Sequence, residues 1–318
     1  MKYFKTLLFI LILLTVACNI NDFNEDEPQI TNHEPLEVGI FIDDLTFKVF
    51  PTFQDNFDTA EFKLWIPENI NNLKAILILC NHNNGSSFGW LRLEEWRTFA
   101  ETEKLALLAV NLETLTVDGH YTNPTGGSGN ALIKALDTIT YRNNLDNLNK
   151  LPFLMTGYSA GGVFSYYFSH FKPERVIAFT NIRGGAVGET SSINNNIPGL
   201  MLMGENDKQS RNDRMMDIVH SKRNAGGVWG YAVEPNVDHF GNLQTSHALA
   251  RKFFSAVLSK RLIPDSNQLI NIPENSGWLG NNETKDIFPF DEYPNEVNEA
   301  TWLIDEAFAN LWRTYQLD

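Results

Sequence analysis

The sequence predicts an α/β fold: a mostly parallel central sheet with helices on both faces and a C-terminal extension. Three observations predict it. The runs Lys74–Cys80, Leu105–Asn111 and Arg175–Thr180 are apolar on both faces, as strands in the middle of a covered sheet must be. Segments with helical spacing stand between such runs, so strand and helix alternate through most of the chain. A further apolar strand stops at Gly157-Tyr158-Ser159-Ala160-Gly161-Gly162 and an amphipathic run starts at Val163, which places Gly-x-Ser-x-Gly at a strand-to-helix junction.

The first residues read as an address. Lys2 and Lys5 precede the apolar run Leu7–Leu14, too short for a comfortable membrane span, and Thr15-Val16-Ala17 stands before Cys18. This is similar to a bacterial lipoprotein signal, which implies removal of residues 1–17 and lipidation at Cys18. An ordinary secretory signal is the alternative reading. Either sends the mature protein out of the cytoplasm, and the lipoprotein reading anchors it to a bacterial membrane, expected to be the outer one, with the cell surface as a destination. Residues 18–35 carry Asp22, Glu25, Asp26 and Glu27 and few apolar residues, the composition of a flexible tether.

Residues 36–262 read as the α/β domain. Phe41–Phe50 and Ala60–Pro67 alternate as an antiparallel pair with one wet face, and Lys74–Cys80 follows as a buried strand that breaks into the polar loop Asn81-His82-Asn83-Asn84-Gly85. A helix over Leu93–Glu103 leads to the strand Leu105–Asn111, and a loop through His120 and Tyr121 to a helix over Gly129–Tyr141. The junction at Ser159 comes next, then strands over Arg175–Thr180 and Pro198–Met203, a helix over Arg211–Arg223, the strand Val228–Glu234 and a helix over Thr245–Ser259. Residues 263–318 form the extension, a Pro/Asn/Gly-rich connection containing Gly277-Trp278-Leu279-Gly280, then an amphipathic helix over Thr301–Tyr315 whose aromatic residues pack it onto the same domain.

Composition narrows the function. A net charge of −14 over 318 residues, with no clustered Lys/Arg face, excludes a nucleic-acid-tracking surface. Two cysteines, Cys18 and Cys80, give neither a disulfide framework nor a thiolate metal site, and Cys80 at the end of an apolar run reads as a small buried hydrophobe.

A strand-turn-helix with Gly-x-Ser-x-Gly is a nucleophile elbow, a turn so tight that it strains the serine backbone and leaves room only for glycine on its flanks. Ser159 is therefore the candidate nucleophile. A serine hydroxyl needs a base within hydrogen-bond reach and a group to orient that base. His239 follows the last strand and so lies at the carboxyl edge of the sheet, where the elbow also opens; His170, His220 and His247 fall in helices and His33 in the tether. The loop after the preceding strand, Gly204-Glu205-Asn206-Asp207, offers two carboxylates as the orienting acid. The backbone N–H of Ala160 is one candidate oxyanion donor. The second comes from the loop at His82, Asn83 and Asn84, with Asn83 favoured. His82, Asn84, His120, Tyr121 and Tyr158 are candidates to line the pocket, and Trp90, Tyr121, Trp229 and Trp278 to offer faces on which a sugar stacks.

On Gly157-Tyr-Ser-Ala-Gly-Gly162, Gly204-Glu-Asn-Asp207, Val228–Pro235 before His239, and Gly277-Trp-Leu-Gly280, the chain from Phe62 onward resembles an α/β-hydrolase, in a bacterial group related to esterases and polyhydroxybutyrate-depolymerase-like hydrolases. The resemblance implies a triad of Ser159, Asp207 and His239, Glu205 being the other possible acid, and no metal or organic cofactor. It supplies no substrate; the candidate triad together with the leader leads to the expectation of an extracytoplasmic serine hydrolase that cleaves a carboxylic ester, of a small molecule or a polysaccharide, through an acyl-enzyme. A serine peptidase on the same fold and a catalytically inactive glycan-binding surface lipoprotein are the alternatives.

Overall fold

The computed structural model describes residues 39–68, 70, 72–115, 120–185, 188, 192–264 and 266–317. Residues 1–17, the tether 18–35, Cys18 and His33 lie outside them.

The chain enters through three antiparallel strands, β1 (Gly39–Asp43), β2 (Thr46–Val49) and β3 (Thr59–Trp65). The sequence predicts one strand over Phe41–Phe50; it is instead a hairpin, folded where Asp43 Oδ1 accepts the Leu45 N–H at 3.0 Å. That side-chain bond supplies the turn that the hydrophobic alternation hides. β3 pairs antiparallel with β5 (Leu105–Glu113), and from there the sheet is parallel: β5 beside β4 (Ala75–Cys80), then β6 (Phe153–Tyr158), β7 (Val176–Ile182), β8 (Gly199–Gly204) and β9 (Trp229–Glu234).

Alternate side chains of β4 enter different cores. Ile76, Ile78 and Cys80 pack with Leu132 of α2 (Ser128–Arg142), Phe164 and Phe168 of α3 (Ala160–Phe171) and Met215 of α4 (Gln209–Asn224). Ala75, Leu77 and Leu79 face Trp96 of α1 (Glu94–Glu103) and Phe253 and Val257 of α5 (Gln244–Arg261). A strand buried on both sides can be apolar throughout, which is why no alternation marks it.

The extension departs from its predicted form. Gly277-Trp278-Leu279-Gly280 contributes a strand, β10 (Trp278–Gly280), which with β11 (Ile287–Pro289) and β12 (Thr301–Leu303) makes a second, antiparallel sheet. The last helix, α6 (Glu306–Tyr315), starts five residues later than the spacing predicts, behind Asp305, whose side chain accepts the Phe308 N–H at 2.8 Å. Thr301 is β-branched and Trp302 aromatic, and Thr301–Leu303 pairs with β10 instead, so that tertiary pairing outweighs the helical period.

The extension also covers the edge of the large sheet. The Tyr231 N–H of β9 donates to Thr301 Oγ1 at 3.2 Å, and the Val233 N–H to Gln316 Oε1 at 3.2 Å. Trp312, fully buried, donates its indole N–H to the Tyr231 carbonyl at 2.6 Å. An edge that would otherwise present unpaired backbone is closed by side chains.

Candidate active site

Ser159 stands between β6 and α3 with φ 54° and ψ −121°, a conformation an L-residue rarely adopts. The turn needs its glycines. A Cβ on Gly157 would meet the carbonyl of Gly161 at 2.1 Å, and one on Gly161 would meet the Asn81 and Cys80 carbonyl oxygens at 2.4 and 2.5 Å. The elbow is thereby pressed against the end of β4. The Ser159 N–H donates to the Ile182 carbonyl at 2.8 Å, which ties the strained residue to β7.

β8 ends at Gly204 and the chain turns, the Asp207 N–H donating to the Gly204 carbonyl at 3.1 Å. Asp207 is buried. Its Oδ1 accepts the Lys208 N–H at 2.7 Å and a bond from Arg211, and its Oδ2 faces His239 Nδ1 at 3.0 Å. His239 Nε2 in turn lies 3.1 Å from Ser159 Oγ. A carboxylate only accepts, so Nδ1 carries the proton and Nε2 is left as the acceptor for the serine hydroxyl. Burial holds the His239 imidazole below its ordinary value of 6.5; the Asp207 hydrogen bond opposes this, and the Arg211 and Arg183 charges add to it. A neutral imidazole at neutral pH is the form that can take a proton.

The structure thus brings together Ser159, Asp207 and His239. Glu205 is elsewhere: it is exposed and its Oε2 accepts the Asn236 N–H at 2.8 Å, bracing the loop that carries the histidine. Asp238 is also turned away, taking the Phe240 N–H at 2.9 Å.

Ala160 opens α3, where first-turn N–H groups have no intrahelical acceptor. In the facing loop the His82 N–H is taken by Asn81 Oδ1 at 2.8 Å. The Asn83 N–H has no hydrogen-bond acceptor among the described residues. Asn84, at φ 53°, is locked to Thr114 by two bonds, Nδ2 to the carbonyl at 3.0 Å and Oδ1 from the N–H at 2.9 Å.

The other predicted pocket residues divide. Tyr158 lies beside the site: its ring is 5.4 Å from that of His239 and 6.0 Å from that of His82, and its hydroxyl donates to the His239 carbonyl at 2.6 Å. His82 is exposed, with Nδ1 3.0 Å from the Asn83 carbonyl. Tyr121 is a correction. It is 2% exposed and hydrogen-bonded to the Asn84 backbone, so it supports the loop from beneath, and the space it borders is a small internal cavity shared with Cys80, Gly161 and Phe164. The His120 side chain lies outside the described residues.

Trp229 is a second correction, since it is fully buried against Phe179 at 4.9 Å and offers no face to a sugar. The same burial removes Tyr121 from that role. Trp90 is half-buried, edge-on to His247 at 4.8 Å, and Trp278 is half-buried in β10.

Residues that the sequence reading passed over complete the site. Arg183 is fully buried and reaches the histidine loop, and Arg211 pairs with Asp207. Arg211 was findable, four residues after an acid at the start of a predicted helix. For Arg183 the signal was a charge directly after an apolar strand.

The chain has the α/β-hydrolase fold. It superimposes on a ferulic acid esterase with a TM-score of 0.51 at 12% identity, over 67% of this chain and 96% of that one. An acetyl xylan esterase from Aspergillus awamori gives 0.46 at 13% identity over 64% and 97%. A poly(3-hydroxybutyrate) depolymerase from Bordetella parapertussis gives 0.46 at 12% identity over 69% and 90%. No protein-family model matches the sequence, and no curated protein matches it significantly.

Proposed function

We propose that this chain is a serine hydrolase of carboxylic esters. The observation that carries the reading is the chain of contacts from Ser159 Oγ to His239 Nε2 at 3.1 Å and from His239 Nδ1 to Asp207 Oδ2 at 3.0 Å. Ser159 Oγ attacks the ester carbonyl carbon as its proton passes to His239 Nε2. The tetrahedral oxyanion is held by the N–H groups of Ala160 and Asn83. Its collapse expels the alcohol, which takes the proton from Nε2, and leaves an acyl-serine. Water then repeats the sequence, its proton going to Nε2 and finally back to Oγ as the acid departs. Asp207 keeps the imidazole in the productive tautomer and stabilises the imidazolium without taking its proton.

An ester on a polysaccharide, acetyl or feruloyl, is the substrate we favour. It is supported by the fold shared with a ferulic acid esterase and by the leader, whose resemblance to a lipoprotein signal suits a protein tethered through Cys18 outside the cytoplasm. The test is hydrolysis of p-nitrophenyl acetate and of acetylated and feruloylated oligosaccharides, with fluorophosphonate labelling of the serine. Activity and labelling should both vanish in Ser159→Ala; a variant that kept full activity would end the proposal, and a wild-type protein that bound glycans without labelling would mark a binding module instead.

A further inference from the structure

We propose that Arg183, held by Glu234, is a positioning residue for His239; the inference rests on the hydrolase reading above. His239 sits on the loop between β9 and α5, which has to hold an imidazole within reach of two partners from other loops. The first half of that loop is tied to the turn after β8: the Asn206 N–H donates to the Val237 carbonyl at 2.9 Å, and Glu205 takes the Asn236 N–H. The second half is tied by the Tyr158 hydroxyl, which donates to the His239 carbonyl at 2.6 Å, and by one guanidinium that spans the residues beyond it. Arg183 Nη1 donates to the Gly241 carbonyl at 2.7 Å and reaches the His239 carbonyl at 3.5 Å, and Nη2 donates to the Asn242 carbonyl at 3.1 Å.

The guanidinium is itself fixed. Arg183 follows β7 at φ 54°, is fully buried, and its Nη2 also donates to Glu234 Oε2 at 2.9 Å. That oxygen further accepts from Ser246 of α5 at 2.9 Å and from the Tyr315 hydroxyl of α6 at 3.2 Å. One buried carboxylate oxygen therefore gathers the strand before the histidine loop, the helix after it and the terminal helix of the extension. A buried ion pair is weak evidence for stability, because apolar residues of like volume often serve as well. What apolar residues cannot do is donate to three backbone carbonyls of one loop. An Arg fork can, and it does so at the residues that include and follow His239.

The test is Arg183→Lys in the full-length chain, with Ser159→Ala alongside. Lysine keeps the charge opposite Glu234 and gives up the fork. Misplacing a reacting group by about 1 Å costs on the order of 100-fold. The expected result is a folded variant with kcat on p-nitrophenyl acetate lowered about 100-fold, KM held within about twofold, and fluorophosphonate labelling slowed by the same factor as kcat. If Arg183→Lys does not fold, Glu234→Gln, which keeps the shape and loosens the anchor, should lower kcat about tenfold at constant KM. A folded variant with wild-type kcat, or one whose loss lies in KM alone, overturns the positioning role while leaving the hydrolase intact. A wild-type chain that neither hydrolyses the ester nor labels overturns the hydrolase reading and this inference with it.

Discussion

Arg211 closes on the one oxygen of Asp207 that His239 does not use, so the carboxylate is held between a cation from the helix behind it and an imidazole from the loop in front. The arrangement sets the sign of a pH effect. The reactive form of His239 is the neutral one, so kcat/KM should be level at neutral pH and fall as pH drops through a value below 6.5. Arg211 is among the groups that depress that value. In Arg211→Gln the imidazole is easier to protonate and the acid limb should move to higher pH. A pH–rate profile from 5 to 9 checks this, and a limb that stays put or moves lower contradicts it.

Truncating the three contacting side chains should give unequal losses. Removing the nucleophile in Ser159→Ala is expected to lower kcat by about a million-fold. Asp207→Asn leaves the shape intact but favours the wrong tautomer, for which about 10⁴-fold is expected. Steady-state kinetics with matched circular dichroism spectra decide it; similar and small losses in both would mean that the contacts do not work as a unit.

Gly161→Ala separates packing from chemistry. The added methyl would sit 2.4 Å from the Asn81 carbonyl oxygen and 2.5 Å from that of Cys80, and both are backbone atoms that cannot swing aside. The elbow and the loop carrying Asn83 must part. Overpacking of this kind costs about 1–3 kcal/mol of stability, while the widened gap between the N–H groups of Ala160 and Asn83, the proposed oxyanion donors, should lower kcat on the order of 100-fold. Urea midpoints and kcat measured together test it, and a variant with near-normal turnover would show that the contact does not set the oxyanion geometry.

The parallel part of the sheet was legible because each of its strands is a continuous apolar run between breakers, and the elbow because Gly157 and Gly161 bracket a serine at such a junction. The positions of Asp207 and His239 followed from the strands they come after. What stayed hidden depends on partners far along the chain. Tyr121 and Trp229 look like binding aromatics by type, and only the packing of the Asn84 backbone on one and of Phe179 on the other shows them to be internal. The strands β10 to β12 are three residues each, too short for a period, and exist because they pair with one another. Arg183 is a single charge whose acceptors lie in residues 239–242, more than fifty positions downstream.

His247 should make the fold acid-labile. It is 3% exposed, with its ring 4.8 Å from that of Trp90 and 5.1 Å from that of Trp96, and its Nε2 has no hydrogen-bond partner among the described residues. Burial first, then the charges of Arg251 and Arg183, push its pKa down to about 3. The unfolded chain takes up a proton near 6.5 that the folded chain refuses, so stability contributed above that pH is lost as pH falls from about 6.5 toward 3, at up to about 1.4 kcal/mol per pH unit. His170, pushed down to about 4 chiefly by burial, adds to the loss over most of the same window. Replacing His247 by phenylalanine keeps a ring between the two indoles and removes the proton site. Stability at pH 8 should change by less than about 1.5 kcal/mol, and between pH 6.5 and 4.5 the variant should lose less than the wild type, with the residual slope left by His170. Urea unfolding midpoints at four pH values across that range decide it: parallel curves for the two proteins would mean that His247 is already protonated, or already solvated, in the native state.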